Sequence, residues 1–126
     1  MKMEPVKILW RSKHPPTKKH RALLEEIYPG REFDIVHDSS WIAHADHVVQ
    51  QFRSGKYDDL FVNASWSVLN IIVKSDVRPL IAIYEESLQS ESDFYDGRSY
   101  KQIIELRRFN QMIVDHSKPQ PYELRN

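Results

Sequence analysis

Four apolar runs, each breaking off into a polar cluster, constrain this chain more than any other feature. Val6–Trp10 gives way to Arg11, Ser12, Lys13 and His14, and Phe33–Val36 to His37, Asp38, Ser39, Ser40 and Trp41. Leu60–Val62 runs into Asn63, Ala64, Ser65 and Trp66, and Leu80–Tyr84 into Glu85, Glu86 and Ser87. Near-continuous apolar runs of this length suit strands covered on both faces, as in parallel sheets. Helix-length segments separate them. Pro15, Pro16 and Thr17 open a first helix with the stripe Ala22, Leu23, Ile27 and Tyr28, closed by Pro29 and Gly30. Ile42, Ala45, Val48, Val49 and Phe52 mark a second, with Gly55 as a C′ stop. A third, capped by Ser65 or Ser67, carries Val68, Leu69, Ile71, Ile72 and Val73.

This order predicts an α/β chain: a small Rossmann-like three-layer fold with a mainly parallel four-stranded sheet. The polar, acidic segment Ser87–Gly97 reads as a loop. From Tyr100 onward, Ile103, Ile104, Leu106, Phe109, Met112 and Ile113 read as a C-terminal amphipathic helix ending near Asp115. One Rossmann-like domain is expected over 1–116, with 117–126, bearing Pro119 and Pro121, as a C-terminal tail.

In such a fold the polar clusters meet at the carboxyl edge of the sheet, where diverging crossovers leave a crevice for ligands. Two clusters bring a Trp, two bring Ser pairs or near-pairs, and the first is cationic, which suits an anionic, base-bearing ligand. The net charge is zero but uneven: residues 1–21 hold Lys2, Lys7, Arg11, Lys13, Lys18, Lys19 and Arg21 against Glu4 alone. A local basic patch attracts phosphates even on a neutral protein. The absence of cysteine excludes disulfides, thiolate metal sites and Cys nucleophiles and agrees with a cytoplasmic address. There is no apolar stretch near 18 residues and no signal-peptide core, so no membrane span is expected.

Gly30, Gly55 and Gly97 are the only glycines, and none follows the first strand, so neither a dinucleotide-binding nor a P-loop motif is present. Phosphate would instead be met by side chains and helix N-termini. Ser12, Lys13 and His14 form the most informative triplet: a hydroxyl donor, a phosphate-neutralising cation and an imidazole able to move protons near neutral pH. A β-α turn with solvated charges would look the same. Ser39, Ser40 and Trp41 could bind ligand or cap the second helix. Asn63 and Ser65 carry the same two readings, and Trp66 is a stacking platform or part of the core. Glu85 is an acid, a base, a Mg²⁺ ligand or part of a solvated turn. His44 and His47 lie three apart on a helix but lack a third ligand, so neither a metal nor another cofactor is expected.

The opening KILWRSKHPPTKKHRALLEEIYPGREFDIVH resembles the start of small Rossmann-like proteins found with type III CRISPR systems, which have a Ser/x/His turn after the first strand and a PT helix start. YDDLFVNASWSVLNIIVKSDVRPLIAIYEE is similar to their third strand, short helix and fourth strand. The likeness spans roughly residues 7–86, and some such proteins are ring nucleases related to CARF domains. The turn departs from the usual SRH in carrying Lys13, which keeps the charge but loses bidentate phosphate geometry. The resemblance implies a homodimer that binds a cyclic oligoadenylate, or another phosphate-bearing small ligand, and a metal-independent cleavage of the ring. Catalysis would fall to Ser12, Lys13 and His14, and ligand binding to Arg11, Ser39, Ser40, Trp41, Asn63, Ser65, Trp66 and Glu85. A non-catalytic nucleotide sensor or adaptor of the same fold is the alternative.

Overall fold

A computed structural model describes residues 4–86, 94–95 and 100–110. The chain runs β1 (Val6–Arg11), α1 (Lys18–Ile27), β2 (Phe33–Asp38), α2 (Ala45–Ser54), β3 (Asp59–Val62), α3 (Trp66–Lys74), β4 (Leu80–Glu86), β5 (Phe94–Tyr95) and β6 (Tyr100–Arg108). These strands form one sheet in the order β2-β1-β3-β4-β6-β5. β1 pairs in parallel with β2 and β3, and β3 with β4, while β6 is antiparallel to β4.

The apolar runs explain the centre of the sheet. β1 lies between two neighbours, and Val6, Ile8, Leu9 and Trp10 are buried alternately on its two faces. On one face Ile8, Trp10, Phe61, Leu80 and Ala82 pack with Leu24 of α1, and the Trp10 and Phe61 rings stack 3.8 Å apart. On the other, Leu9, Leu60, Val62, Ile81 and Ile83 pack with Val48 and Val49 of α2 and Leu69, Ile72 and Val73 of α3. The chain thus leaves β1 over one face to reach β2, then returns over the other to reach β3. That reversal beside β1 is the switch point of a doubly wound sheet.

Local signals at the helix ends hold well. Thr17 caps α1, with His20 in the reciprocal place usually taken by Glu or Gln: Thr17 N donates to His20 Nδ1 at 2.9 Å, and His20 N to Thr17 Oγ1 at 3.3 Å. Ser65 rather than Ser67 caps α3, accepting from Val68 N. α2 begins at Ala45 with His44 as its N-cap, so Ser39 and Ser40 do not cap it. Gly55 ends α2 at φ −85°, and the left-handed residue is Lys56 at φ 56°. Gly55 matters because the Tyr57 ring occupies the place of a Cβ.

Three expectations need correction. The sheet is not four-stranded: it has five strands of four residues or more, plus the two-residue β5. Tyr100–Arg108 is a strand rather than the first turns of a C-terminal helix. Ile103, Leu106 and Phe109 mimic helical spacing, but Leu106 packs on the Trp10 side of the sheet and Phe109 on the Leu9 side. A separation of three gives opposite faces in an extended chain. The adjacent Ile103 and Ile104 fall at a bulge, where the register passes from Ile83–Glu105 to Tyr84–Ile103 and skips Ile104. β4 also continues through Glu85 and Glu86, so these two lie in a strand rather than in a turn. Residues 87–93, 96–99 and 111–126, which include most of the expected acidic loop, the rest of the expected helix and the tail, lie outside the described residues.

Candidate functional site at the switch point

A cavity of about 640 Å³ opens at the carboxyl ends of β1, β2 and β3. Its wall is Arg11, Ser12 and Lys13 after β1, Ser39, Ser40, Trp41 and Ile42 after β2, and Asn63, Ala64, Ser65 and Val68 around the start of α3. Three of the four polar clusters therefore meet, at the place a doubly wound sheet reserves for ligands. Eight expected residues line the cavity, Arg11, Ser12, Lys13, Ser39, Ser40, Trp41, Asn63 and Ser65, while His14 adjoins Lys13 in sequence but is not in the wall.

Arg11 and Asp38 are register partners, the last residues of β1 and β2. Arg11 is 5% exposed. Its Nη1 lies 2.8 Å from Asp38 Oδ1 and donates to the Asp38 and Ser40 carbonyls at 3.0 and 3.1 Å. Among the described residues its Nε is buried without a hydrogen-bond partner. Asp38 also accepts from Ser40 Oγ at 2.5 Å, Ser40 N at 3.0 Å and Gln51 Nε2 at 2.8 Å. These bonds, led by the Ser40 hydroxyl and followed by the backbone N–H, Gln51 and the Arg11 charge, outweigh burial and bring the Asp38 carboxyl down to about 2.

The 12–14 turn is firmly tied. His37 Nε2 donates to the Ser12 carbonyl at 2.8 Å, Trp10 Nε1 to the His14 carbonyl at 3.2 Å, and His14 N to Ser12 Oγ at 3.3 Å. Ser12 thus shapes the turn while facing the cavity, and Lys13 is exposed at its wall. Ser65 does two jobs, capping α3 and lining the cavity, with its Oγ 3.0 Å from that of Ser67.

Trp41 is 87% exposed, so it is a cavity-wall residue and not helix packing. Trp66 behaves the opposite way: it packs against the core, its ring 5.3 Å from that of Phe109. The Glu85 side chain lies outside the described residues. His44 and His47 have ring centroids 5.1 Å apart, and among the described residues no group of three or more metal-ligating side chains forms. The sequence reading missed Asp38 and Gln51 as holders of Arg11. The signal was available for Asp38: an acid ends the second apolar run where a base ends the first.

A second polar cluster, also missed, sits at the opposite end of the sheet. Asp59, 4% exposed at the start of β3, receives Arg108 Nη1 and Nη2 at 2.6 and 2.9 Å, Tyr28 Oη at 2.6 Å and Leu60 N at 2.8 Å. Burial first, and then the Asp59 carboxylate, push the Tyr28 hydroxyl above its ordinary value. The Asp59 hydrogen bond likewise raises Arg108. No helix among the described residues is long and apolar enough to cross a membrane. Compared with known proteins, the chain matches no family model, no curated protein and no solved structure.

Proposed function

We propose that this protein is a cytoplasmic, Rossmann-like receptor for a cyclic oligoadenylate, and that it turns the ring over slowly without a metal. The observation that supports this reading is the composition of the switch-point wall. Two cations, Arg11 and Lys13, share it with the hydroxyls of Ser12, Ser39, Ser40 and Ser65, the amide of Asn63 and the exposed indole of Trp41. Cations and hydroxyls meet phosphate, and an indole beside them meets a base. A homodimer would set two such walls around a two-fold symmetric ring.

Cleavage in this reading is an internal transfer. A ribose 2′-oxygen attacks the adjacent phosphorus, the bond to the 5′-oxygen breaks, and a 2′,3′-cyclic phosphate and a 5′-hydroxyl result. The 2′ proton leaves to solvent and the 5′-oxygen takes one up. The wall would contribute in-line positioning, with Lys13 and Arg11 offsetting charge on the phosphate.

The alternative, a non-catalytic sensor or adaptor, is favoured by one feature: among the described residues the wall contains no imidazole and no carboxylate, and His14 stands outside it. Incubation with cyclic tetra- and hexa-adenylate separates the readings. Linear products support turnover, binding without products supports the sensor, and neither result removes both. Light scattering at micromolar concentration tests the dimer, and a monomer would count against it.

A further inference from the structure

We infer that the cavity is divided into two subsites, with Trp41 and Asn63 taking the base of a single nucleotide and Arg11, Lys13 and Ser12 taking its phosphate. The inference rests on the nucleotide reading above and adds which unit is recognised and by which side chains.

Exposure singles out Trp41. Among the described residues it is one of two exposed large apolar side chains, at 87%, against 42% for Ile71 on α3. The other two indoles are committed elsewhere: Trp10 is fully buried against Phe61, and Trp66 packs beside Phe109. An indole left in water costs hydrophobic free energy, and here it lines a cavity whose wall also carries two cations, rather than standing on a flat face. A base offers a flat π-surface that covers such a ring while leaving its polar edge for hydrogen bonding.

Asn63 supplies a group for that edge. Its backbone N–H is engaged with the Arg11 carbonyl at 3.0 Å. Its half-buried side-chain amide lines the cavity and has no hydrogen bond within the described residues. An amide presents a donor and an acceptor side by side, the pattern that pairs two-handed with a base edge. Between Trp41 and Asn63, at the end of the central strand β1, Arg11 and Lys13 bring positive charge to the same wall, with Arg11 held by Asp38 and Ser40 and Lys13 exposed. About 640 Å³ is the size of a site for one drug-sized ligand, which suits one nucleotide better than a whole ring.

The test uses AMP, with ribose 5-phosphate and inorganic phosphate as base-free probes, against the wild type, Trp41→Ala and Asn63→Ala. Calorimetry gives affinities, and the exposed Trp41 gives a fluorescence signal that a stacked base quenches. AMP should quench the wild type, and ribose 5-phosphate should not. Trp41→Ala should weaken AMP roughly 5- to 150-fold, which is about 1–3 kcal/mol per stacked base, and leave ribose 5-phosphate unchanged. Asn63→Ala should weaken AMP by a smaller factor and also spare the base-free probe. Melting temperatures check that both variants remain folded. Equal loss of AMP and ribose 5-phosphate in Trp41→Ala, or unaltered AMP affinity in it, would overturn the two-subsite inference while leaving a phosphate site standing. Failure of the wild type to bind any of the three probes would overturn the nucleotide reading itself, and the subsites with it.

Discussion

The two ends of the sheet each hold an arginine–aspartate pair, and the pairs are built for different ends. At the amino edge the acid is the buried partner: the Asp59 side chain is 6% exposed against 37% for Arg108. At the carboxyl edge the base is buried, Arg11 at 6% against 30% for Asp38. Asp59 receives four donors and both its oxygens are used, so the amino-edge cluster is closed. Arg108 further donates to the Arg78 carbonyl, tying β6 to the approach to β4. At the carboxyl-edge cluster one buried guanidinium nitrogen has no partner among the described residues, and a cavity lies beside it. A satisfied buried network holds a fold together, whereas an incompletely satisfied one beside a cavity is where a ligand has something to add.

Neutralising each arginine should separate the two roles most strongly. Arg108→Met leaves Asp59 buried with no cation and removes the link between β3 and β6. Taking one member out of a buried ion pair costs about 3–5 kcal/mol, and the 37% exposure of Arg108 points to the lower end of that range. Arg11→Met should change stability by about 1 kcal/mol or less, since it also removes a buried group with an unmet donor. Asp38 would keep its bonds to Ser40 and Gln51. Urea unfolding of both variants reads the difference. Equal losses would make the carboxyl-edge pair as structural as its counterpart.

Ligand affinity should show the reverse order. Lys13→Ala should weaken binding of a phosphate-bearing ligand by about 1–3 kcal/mol, the range for charge-assisted hydrogen bonds. Its stability should stay within about 0.5 kcal/mol of wild type, because Lys13 is exposed. Lys18→Ala, at the exposed first turn of α1 and outside the wall, serves as the control. Calorimetry with AMP compares the two, and similar small effects would reduce Lys13 to a solvated surface charge.

The same contrast governs what could be read from the chain beforehand. The carboxyl-edge wall was legible because each of its members follows an apolar run directly, so strand order alone gathers them. Trp41 and Trp66 each follow an apolar run, and they differ in packing: Trp41 is exposed, whereas Trp66 lies against the core beside Phe109. Phe109 in turn depends on β6, which imitates a helix through its spacing and hides a bulge between Ile103 and Glu105. The amino-edge cluster was illegible for the same reason. Tyr28, Asp59 and Arg108 come from three distant segments, and nothing local announces that they meet until β6 is placed beside β4. On α3, Leu69, Ile72 and Val73 are buried within the chain and Ile71 remains exposed.

The smallest expected effect is in the pH dependence of stability, and it again divides the two ends. Asp38 has a folded value of about 2 against an ordinary 3.8, so its ionised form favours the folded chain. Its contribution is complete above about pH 4 and is lost as the pH falls towards 2. Because the pair is partly exposed, the loss should amount to no more than about 1 kcal/mol. Tyr28 behaves with the opposite sign. Its folded value is raised above 10.0, so the neutral hydroxyl that donates to Asp59 favours folding. That contribution is present below pH 10 and disappears as the pH climbs through the raised folded value. Urea midpoints measured from pH 2 to 4 and again above pH 10 should therefore fall at both extremes in the wild type. Asp38→Asn should flatten part of the acid fall and leave the alkaline one. Tyr28→Phe should remove part of the alkaline fall and leave the acid one. If either substitution altered the wrong limb, the two clusters would be coupled through the sheet rather than independent, and the division of labour between its edges would fail.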